Sequence, residues 1–295
     1  QIQTFRPSAH SAKRSIMDDG CNKVVIIGGG AAGYFAAITA AEQKPNAQVI
    51  LFEAGDRVLR KVKISGGGRC NLTHHCYEPK ELSSHYPRGS KELRGAFYNW
   101  QPRDTIEWFE TRGVKTKVET DGRVFPITDN SQSVIDCLRT EAKNLGVSEH
   151  LRTRVSYLKQ TNNQWELEIN QSEKIIADRV CLALGSLRGT GMEKTLAALG
   201  HIISPLIPSL FAFNLPEHPM VELAGISVPH ALAKTLPNGK PQHGPLLITH
   251  RGLSGPCILR LSAWDAKELA VCKYKFEIEI NWLGDHSLEK IKEVV

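Results

Sequence analysis

No C-x-x-C pair occurs anywhere in the 295 residues, and the seven cysteines (Cys21, Cys70, Cys76, Cys137, Cys181, Cys257 and Cys272) are odd in number and scattered. That spacing gives no sign of zinc, an iron–sulfur cluster or a redox dithiol, so no metal is expected and the thiols read as reduced side chains of a cytosol-like compartment. No apolar run is long enough to cross a bilayer as a helix, which argues against an integral membrane protein. Internal repeats and low-complexity tracts are missing too. A composition of 41% hydrophobic and 23% charged residues is that of an ordinary globular chain.

What is present begins with Lys23-Val24-Val25-Ile26-Ile27, a β-branched run of the kind found in a strand buried on both faces. Gly28-Gly29-Gly30-Ala31-Ala32-Gly33 follows and has the G-x-G-x-x-G spacing. Gly28 suits the tight turn, Gly30 lets the backbone approach a pyrophosphate, and Gly33 lets a helix lie close to the sheet. That helix is expected from about Ala31 to Gln43, its free N–H groups facing the phosphates. Val49-Ile50-Leu51-Phe52 is a second strand, and Glu53 at its end stands 25 residues after Gly28, where a carboxylate accepts hydrogen bonds from an adenosine ribose. Strand, glycines, helix, strand and acid in that order point to an adenine dinucleotide, FAD or NAD rather than NADP. A glycine turn in some other parallel α/β protein is the plainer reading. The fingerprint occurs once, so there is no sign of a second domain dedicated to a nicotinamide.

Formal net charge is +6, and between Arg57 and Arg103 ten Lys and Arg stand against three Glu and no Asp. This basic region, 57–103, suits a phosphate-rich cofactor or a nucleic acid, and equally a solvated surface. Within it Lys61 and Lys63 lead into Ser65-Gly66-Gly67-Gly68-Arg69-Cys70-Asn71, where three glycines allow a cofactor or substrate to lie directly on the chain. Residues 1–21 read as a flexible tail or targeting remnant. The first seventeen carry Arg6, Lys13 and Arg14 and no acid, as a transit sequence does, while Met17 would serve equally as a native start. The expected location is cytoplasmic, or an organellar stroma or matrix if 1–16 is such a remnant.

Residues 80–113 read as a helical excursion whose Phe97, Trp100, Trp108 and Phe109 are expected in a core. Thr116 to Glu119 and Arg123 to Phe125 suit a hairpin about Asp121-Gly122, after which Asn130 or Ser131 caps a helix ending at Gly146. Short strands are expected at 154–158, 165–169 and 174–177, with Asn162-Asn163 as a turn, then a buried strand at 180–184 and a helix at 192–199. Pro205, Pro208 and Pro216 mark a boundary around 203–210. Beyond it 246–249 and 274–280 are strands, 250–255 is a bend, and 257–262 begins a helix. The fold class is α/β: a Rossmann-like domain with a mixed sheet over 22–206, then a second domain over 207–295 that mixes strands and loops, which the family likeness described next implies to be β-rich and to interrupt the first.

Four motifs narrow the reading. LRKVKISGGGRCNLTH at 59–74, GRVFPITDNSQSV at 122–134, GPLLITHRGLSGP at 244–256 and GHIISPLIPSL at 200–210 resemble those of the YhiN/BaiN-like flavoproteins, a likeness that covers about residues 22–264. The resemblance implies non-covalent FAD held by Gly28, Gly30, Ala31, Ala32, Gly33, Glu53, Ala54 and Lys61, with the loop Gly66, Gly67, Gly68, Arg69, Cys70 and Asn71 against pyrophosphate and ring. It further implies that Val155 touches adenine through its backbone, that Ala183 and Gly185 line the cofactor, and that the loop bearing His250 belongs to the β-rich substrate domain, toward the active cleft. There are two departures. Gly185 to Gly191 is shorter than the family's glycine passage, and no GGV strand follows Ile280, so the chain is expected to be a fragment whose second domain is incomplete.

The implied chemistry is reduction of a conjugated carbon–carbon double bond, in a small enone-like molecule or in uracil within RNA, with NAD(P)H as transient electron donor. Attack leaves negative charge on a carbonyl, which a donor must stabilise. Arg69, Cys70, Asn71 and His250 are the catalytic candidates. Each has a plainer role: Arg69 neutralising pyrophosphate, Cys70 packing against the cofactor, Asn71 fixing its loop. The rival function is a flavoprotein-derived RNA- or ribosome-binding factor with little redox turnover. Nothing in the residues indicates an oligomeric state.

Overall fold

The computed structural model describes residues 22–284; the tail expected over 1–21 lies outside the described residues. Chain contacts group residues up to Leu82 with Arg94–Ile203 in one compact unit, and Ser83–Leu93 with the chain from Ser204 onward in another.

In the first unit, β1 (Lys23–Ile27), α1 (Ala31–Gln43) and β2 (Gln48–Phe52) come first. Next along the chain are α2 (Arg60–Ile64), β3 (Thr73–His74), α3 (Pro79–Ser84) and α4 (Ser90–Asn99), of which Ser83–Leu93 belongs to the other unit, then α5 (Pro102–Glu110), β4 (Thr116–Val118), β5 (Arg123–Pro126) and α6 (Ser131–Asn144). The unit continues with β6 (Ser148–His150), β7 (Val155–Thr161), β8 (Gln164–Ile169), β9 (Glu173–Ala177), β10 (Arg179–Leu182) and α7 (Met192–Ala198). A four-stranded sheet runs β10-β1-β2-β6, parallel throughout, with Val25 opposite Val180 on one side and Ile50 on the other. Antiparallel pairing is present as well, in separate sheets ordered β3-β5-β4 and β7-β8-β9.

Because side chains alternate along a strand, β1 and β2 supply two cores at once. Ile26, Val49 and Leu51 join Tyr34, Ala37 and Ile38 of α1 and Val134 and Leu138 of α6. Val25, Ile27, Ile50 and Phe52 face the other way, onto Leu158 and Leu167 of the β7-β8-β9 sheet and Met192 of α7. This double burial is why both strands read as unbroken apolar runs.

The second unit holds β11 (Phe213–Asn214), β12 (Ser227–Thr235), β13 (Gln242–Thr249), β14 (Gly252–Ser254), α8 (Pro256–Trp264), α9 (Ala266–Val271) and β15 (Ile278–Asn281). Its antiparallel sheet is ordered β11-β14-β13-β12-β15. Cys257, Ile258 and Leu261 of α8 pack on Ala231, Ala233, Leu246 and Ile248 of the sheet.

Several local expectations change. The short β6, Ser-Glu-His in sequence, extends the parallel sheet without any apolar signature, as an edge strand can. Arg60–Ile64 is a short helix where no element was expected; it buries no side chain, so no apolar stripe announced it. Of the aromatics expected in a core, Phe109 is 3% exposed but Trp100 is 45% exposed, and α4 buries none of its side chains. The strand expected from 274 begins only at Ile278, where pairing with Thr235 starts; Tyr274 itself has φ 61°, outside the strand region. Strand β12 and helix α9 also go beyond the expectations.

Leu51 is fully buried at the middle of the parallel sheet. Leu51→Ala is expected to destabilise the first unit by about 2–5 kcal/mol, read as a lower urea midpoint at unchanged slope.

Candidate functional site

The glycine turn after β1 divides its labour in space. Gly28 has φ +116°, and a methyl carbon there would lie 2.3 Å from the Ala183 carbonyl oxygen. At Gly33 it would lie 1.8 Å from the carbonyl oxygen of Gly28, so only hydrogen fits between α1 and the turn. Gly30 is the opposite case: no atom comes within 4 Å of that position. Gly30 is the N-cap of α1, makes no side-chain cap, and is followed by no acid in the first turn. The N–H groups leading α1, beside exposed Ala31 and Ala32, therefore open onto free space with the positive end of the helix dipole behind them. A pyrophosphate fits that cradle.

Around the same sheet end stand the other expected contacts. The half-buried Glu53 carboxylate accepts from the Gly29 N–H at 2.8 Å and the Gly55 N–H at 2.7 Å, which fixes its direction and leaves each oxygen a further lone pair for a ribose hydroxyl. Exposed Ala54 lies between them in sequence. The N–H groups of Thr153 and Arg152 donate to the Glu53 and Gly55 carbonyls, tying this turn to the segment that enters β7 at Val155. Val155 is 5% exposed, packs in the core and is followed by a shift in the β7–β8 register. Ala183 continues β10 by donating to the Ile27 carbonyl at 2.8 Å. A methyl group on Gly185 would come within 3.4 Å of the Lys61 Nζ, so residues 124 apart in sequence converge there.

The glycine loop is turned left-handed at Gly66 (φ +55°), Gly67 (+69°) and Gly68 (+86°). Arg69 points its guanidinium at Glu119 (2.6 Å and 3.4 Å) and Asp129 (3.3 Å), 4.0 Å above the Phe125 ring. Cys70, 5% exposed, packs in the core with a positive φ of its own. The Asn71 side-chain nitrogen faces the carbonyls of Thr73 at 2.9 Å and Val124 at 3.2 Å. His250 belongs to the second unit, exposed in the turn between β13 and β14.

The HI0933-like protein Rossmann domain matches residues 22–236, and the HI0933-like barrel and H2TH domain matches 207–295. The chain belongs to the HI0933-like family. It is a family of FAD-dependent flavoprotein oxidoreductases. A 3-dehydro-bile acid delta(4,6)-reductase of Clostridium scindens is 29% identical over 280 residues, 92% of this chain and 67% of the relative. Ribosomal RNA dihydrouridine synthases of Escherichia coli and Haemophilus influenzae are 31% and 30% identical, over 90% of this chain and 64% and 65% of their own lengths. The chain thus spans about two thirds of the length of these relatives.

In this HI0933-like chain the charges beside the glycine loop are paired off. Arg123 bonds Glu119 at 3.2 Å and Asp121 at 2.7 Å, and Lys117 pairs with Asp129, so three cations meet three carboxylates. Glu119, Asp121, Asp129 and Phe125 were missing from the sequence-based site. The signal that could have found them is the alternation of acids and bases around GRVFP, next to a loop that needs support. Burial pushes the Cys70 thiol up, keeping it protonated at neutral pH.

Hydrogen bonding from Arg69 holds Glu119 below the ordinary carboxylate range, and Lys117 does the same for Asp129. Both groups therefore contribute stability in full above their unfolded values of about 4 and lose it as pH falls through the lower folded values. Thermal midpoints followed from pH 7 down to about pH 3 should fall, and the Glu119→Gln/Asp129→Asn double variant should show a flatter decline.

Proposed function

We propose that this chain holds the nucleotide of a flavin-dependent reductase that saturates a conjugated carbon–carbon double bond. The observation that carries the reading is the open cradle at Gly30 in front of α1, ringed by Glu53, Lys61 and Gly185 at one sheet end. FAD, when bound there, supplies the hydride that the alkene accepts. The chain's own part is to bind and orient. The α1 N-terminus and Lys61 receive the pyrophosphate, Glu53 the ribose, the Val155 backbone the adenine, and the glycine loop lets the backbone approach without side chains in the way.

Among the catalytic candidates, geometry favours Asn71 as a brace of its own loop and Arg69 as a group held by carboxylates. Cys70 as a neutral thiol has a proton to give and is a poor nucleophile. His250, exposed on the second unit, keeps its place as a donor to the carbonyl on which charge develops. The relatives' names support two substrate classes, a steroid-like enone and uracil within RNA. Electrons come from NADH or NADPH docking transiently, in keeping with the single glycine fingerprint.

One observation favours the RNA-binding reading. Arg57, Arg60, Lys63 and Arg139 line a groove of about 450 Å³ whose acids are Asp56 and Glu149. No aromatic ring lines it, so it would meet phosphates rather than stack bases. Salt-sensitive RNA association by flavin-free protein, without reductase turnover, would support that function instead.

Protein produced with ample riboflavin should carry a yellow cofactor that one of NADH or NADPH bleaches under anaerobic titration; failure to bind flavin would refute the reductase reading. In stopped-flow reoxidation by an enone or uracil-containing RNA, with occupancy measured separately, His250→Ala should slow the reaction about a hundredfold. Arg69→Ala and Cys70→Ala serve as the comparison, and an unchanged rate removes the residue concerned from the catalytic set.

A further inference from the structure

The segment Ser65–Gly68 has little to hold it in shape. Three successive glycines have positive φ, and none of its residues is buried. Chain of this kind loses more conformational entropy on ordering than any other, and a loop left loose would charge that loss against cofactor binding. Its support comes from outside. The Cys70 N–H donates to the Ser65 carbonyl at 3.0 Å, closing the loop on itself. The next residue back, Arg69, reaches the β4–β5 hairpin and Asp129, in chain positions 50 and 60 residues further on.

One buried ring touches both ends of this arrangement. Phe125 is 0% exposed. The Arg69 guanidinium lies 4.0 Å from its centroid, and a methyl carbon on Gly66 would be 2.9 Å from its edge. The hairpin is itself fastened to the chain after the loop: Leu72 donates to the Val124 carbonyl at 2.8 Å, and Asn71 faces Val124 and Thr73. Lys117 and Arg123 complete the charge balance on the carboxylates, so little positive field from Arg69 is left to act elsewhere. Lys61, by contrast, has no hydrogen-bonding or ionic partner among the described residues.

We infer that Glu119 and Asp129 are positioning residues: by clamping Arg69 over Phe125 they shape the glycine loop before the cofactor arrives, and they leave Lys61 as an unpaired cation for its phosphates. The inference rests on the flavin reading of the site. It assigns Arg69 a structural fork rather than a mobile charge, which a lysine cannot reproduce.

Two measurements on the full chain test it: FAD affinity by quenching of flavin fluorescence, and amide exchange at residues 66–70 in cofactor-free protein. Glu119→Gln and Asp129→Asn should each weaken FAD binding and quicken loop exchange by about tenfold, with β1 and β2 amides unchanged. Arg69→Lys should behave like Arg69→Ala, and adding Glu119→Gln to Arg69→Ala should have no further effect, whereas Lys61→Ala should add its full loss to that of Glu119→Gln. Wild-type exchange and affinity in Glu119→Gln, or retained affinity in Arg69→Lys, would overturn the inference. Should Glu119→Gln unfold, the more exposed Asp129→Asn decides. Wild-type protein that takes up no FAD would defeat the proposed function, and the exchange data would then judge the clamp alone.

Discussion

The distance between α1 and the parallel sheet is set by hydrogen atoms. At Gly28 and Gly33 there is no room for a methyl group, and that closeness brings the first turn of α1 to the mouth of the sheet. A helix end in that place has unsatisfied N–H groups and a partial positive charge, and the absence of any side chain at Gly30 keeps the approach clear. The remaining contacts are arranged about it. Glu53 is aimed by the N–H groups of its neighbours, Lys61 converges with Gly185, and the chain entering at Val155 is tied to the turn after β2.

The second constraint is electrostatic. A glycine-rich loop approaches a ligand closely only if something else gives it a shape, and here the support is an Arg–carboxylate fork over a buried ring. Neutralising Arg69, Lys117 and Arg123 by Glu119, Asp121 and Asp129 makes this support neutral overall. The surrounding basic character then resides in residues with fewer partners, Lys61 at the sheet end and Arg60 in the groove beside α2 and α6.

Membership of the HI0933-like family joins these features to flavin chemistry, and the relatives' names span a bile acid and a ribosomal RNA. The aromatic-free basic groove is a separate surface feature, the one that favours the RNA-binding reading. Beneath these surfaces the two cores on either face of β1 and β2 hold the cradle rigid.

Strand β1, the glycine turn, α1 and β2 were legible because each signal there is local: an apolar run, a fixed glycine spacing, a 13-residue helix and an acid at the strand end. The hairpin about Asp121-Gly122 and the Asn130 cap were legible for the same reason. What escaped were elements without a local pattern, such as polar β6 and unburied α2, and the exposure of Trp100, which depends on what packs against it. The sequence by itself determined which backbone can approach a dinucleotide. Only the tertiary structure decided which distant groups come together: Arg69 with Glu119, Lys61 beside Gly185, and buried Tyr34 donating to Glu149. The physical reason is that a charge or a hydroxyl finds its partner by distance in space, and folding brings together groups that the chain keeps 50 to 124 residues apart.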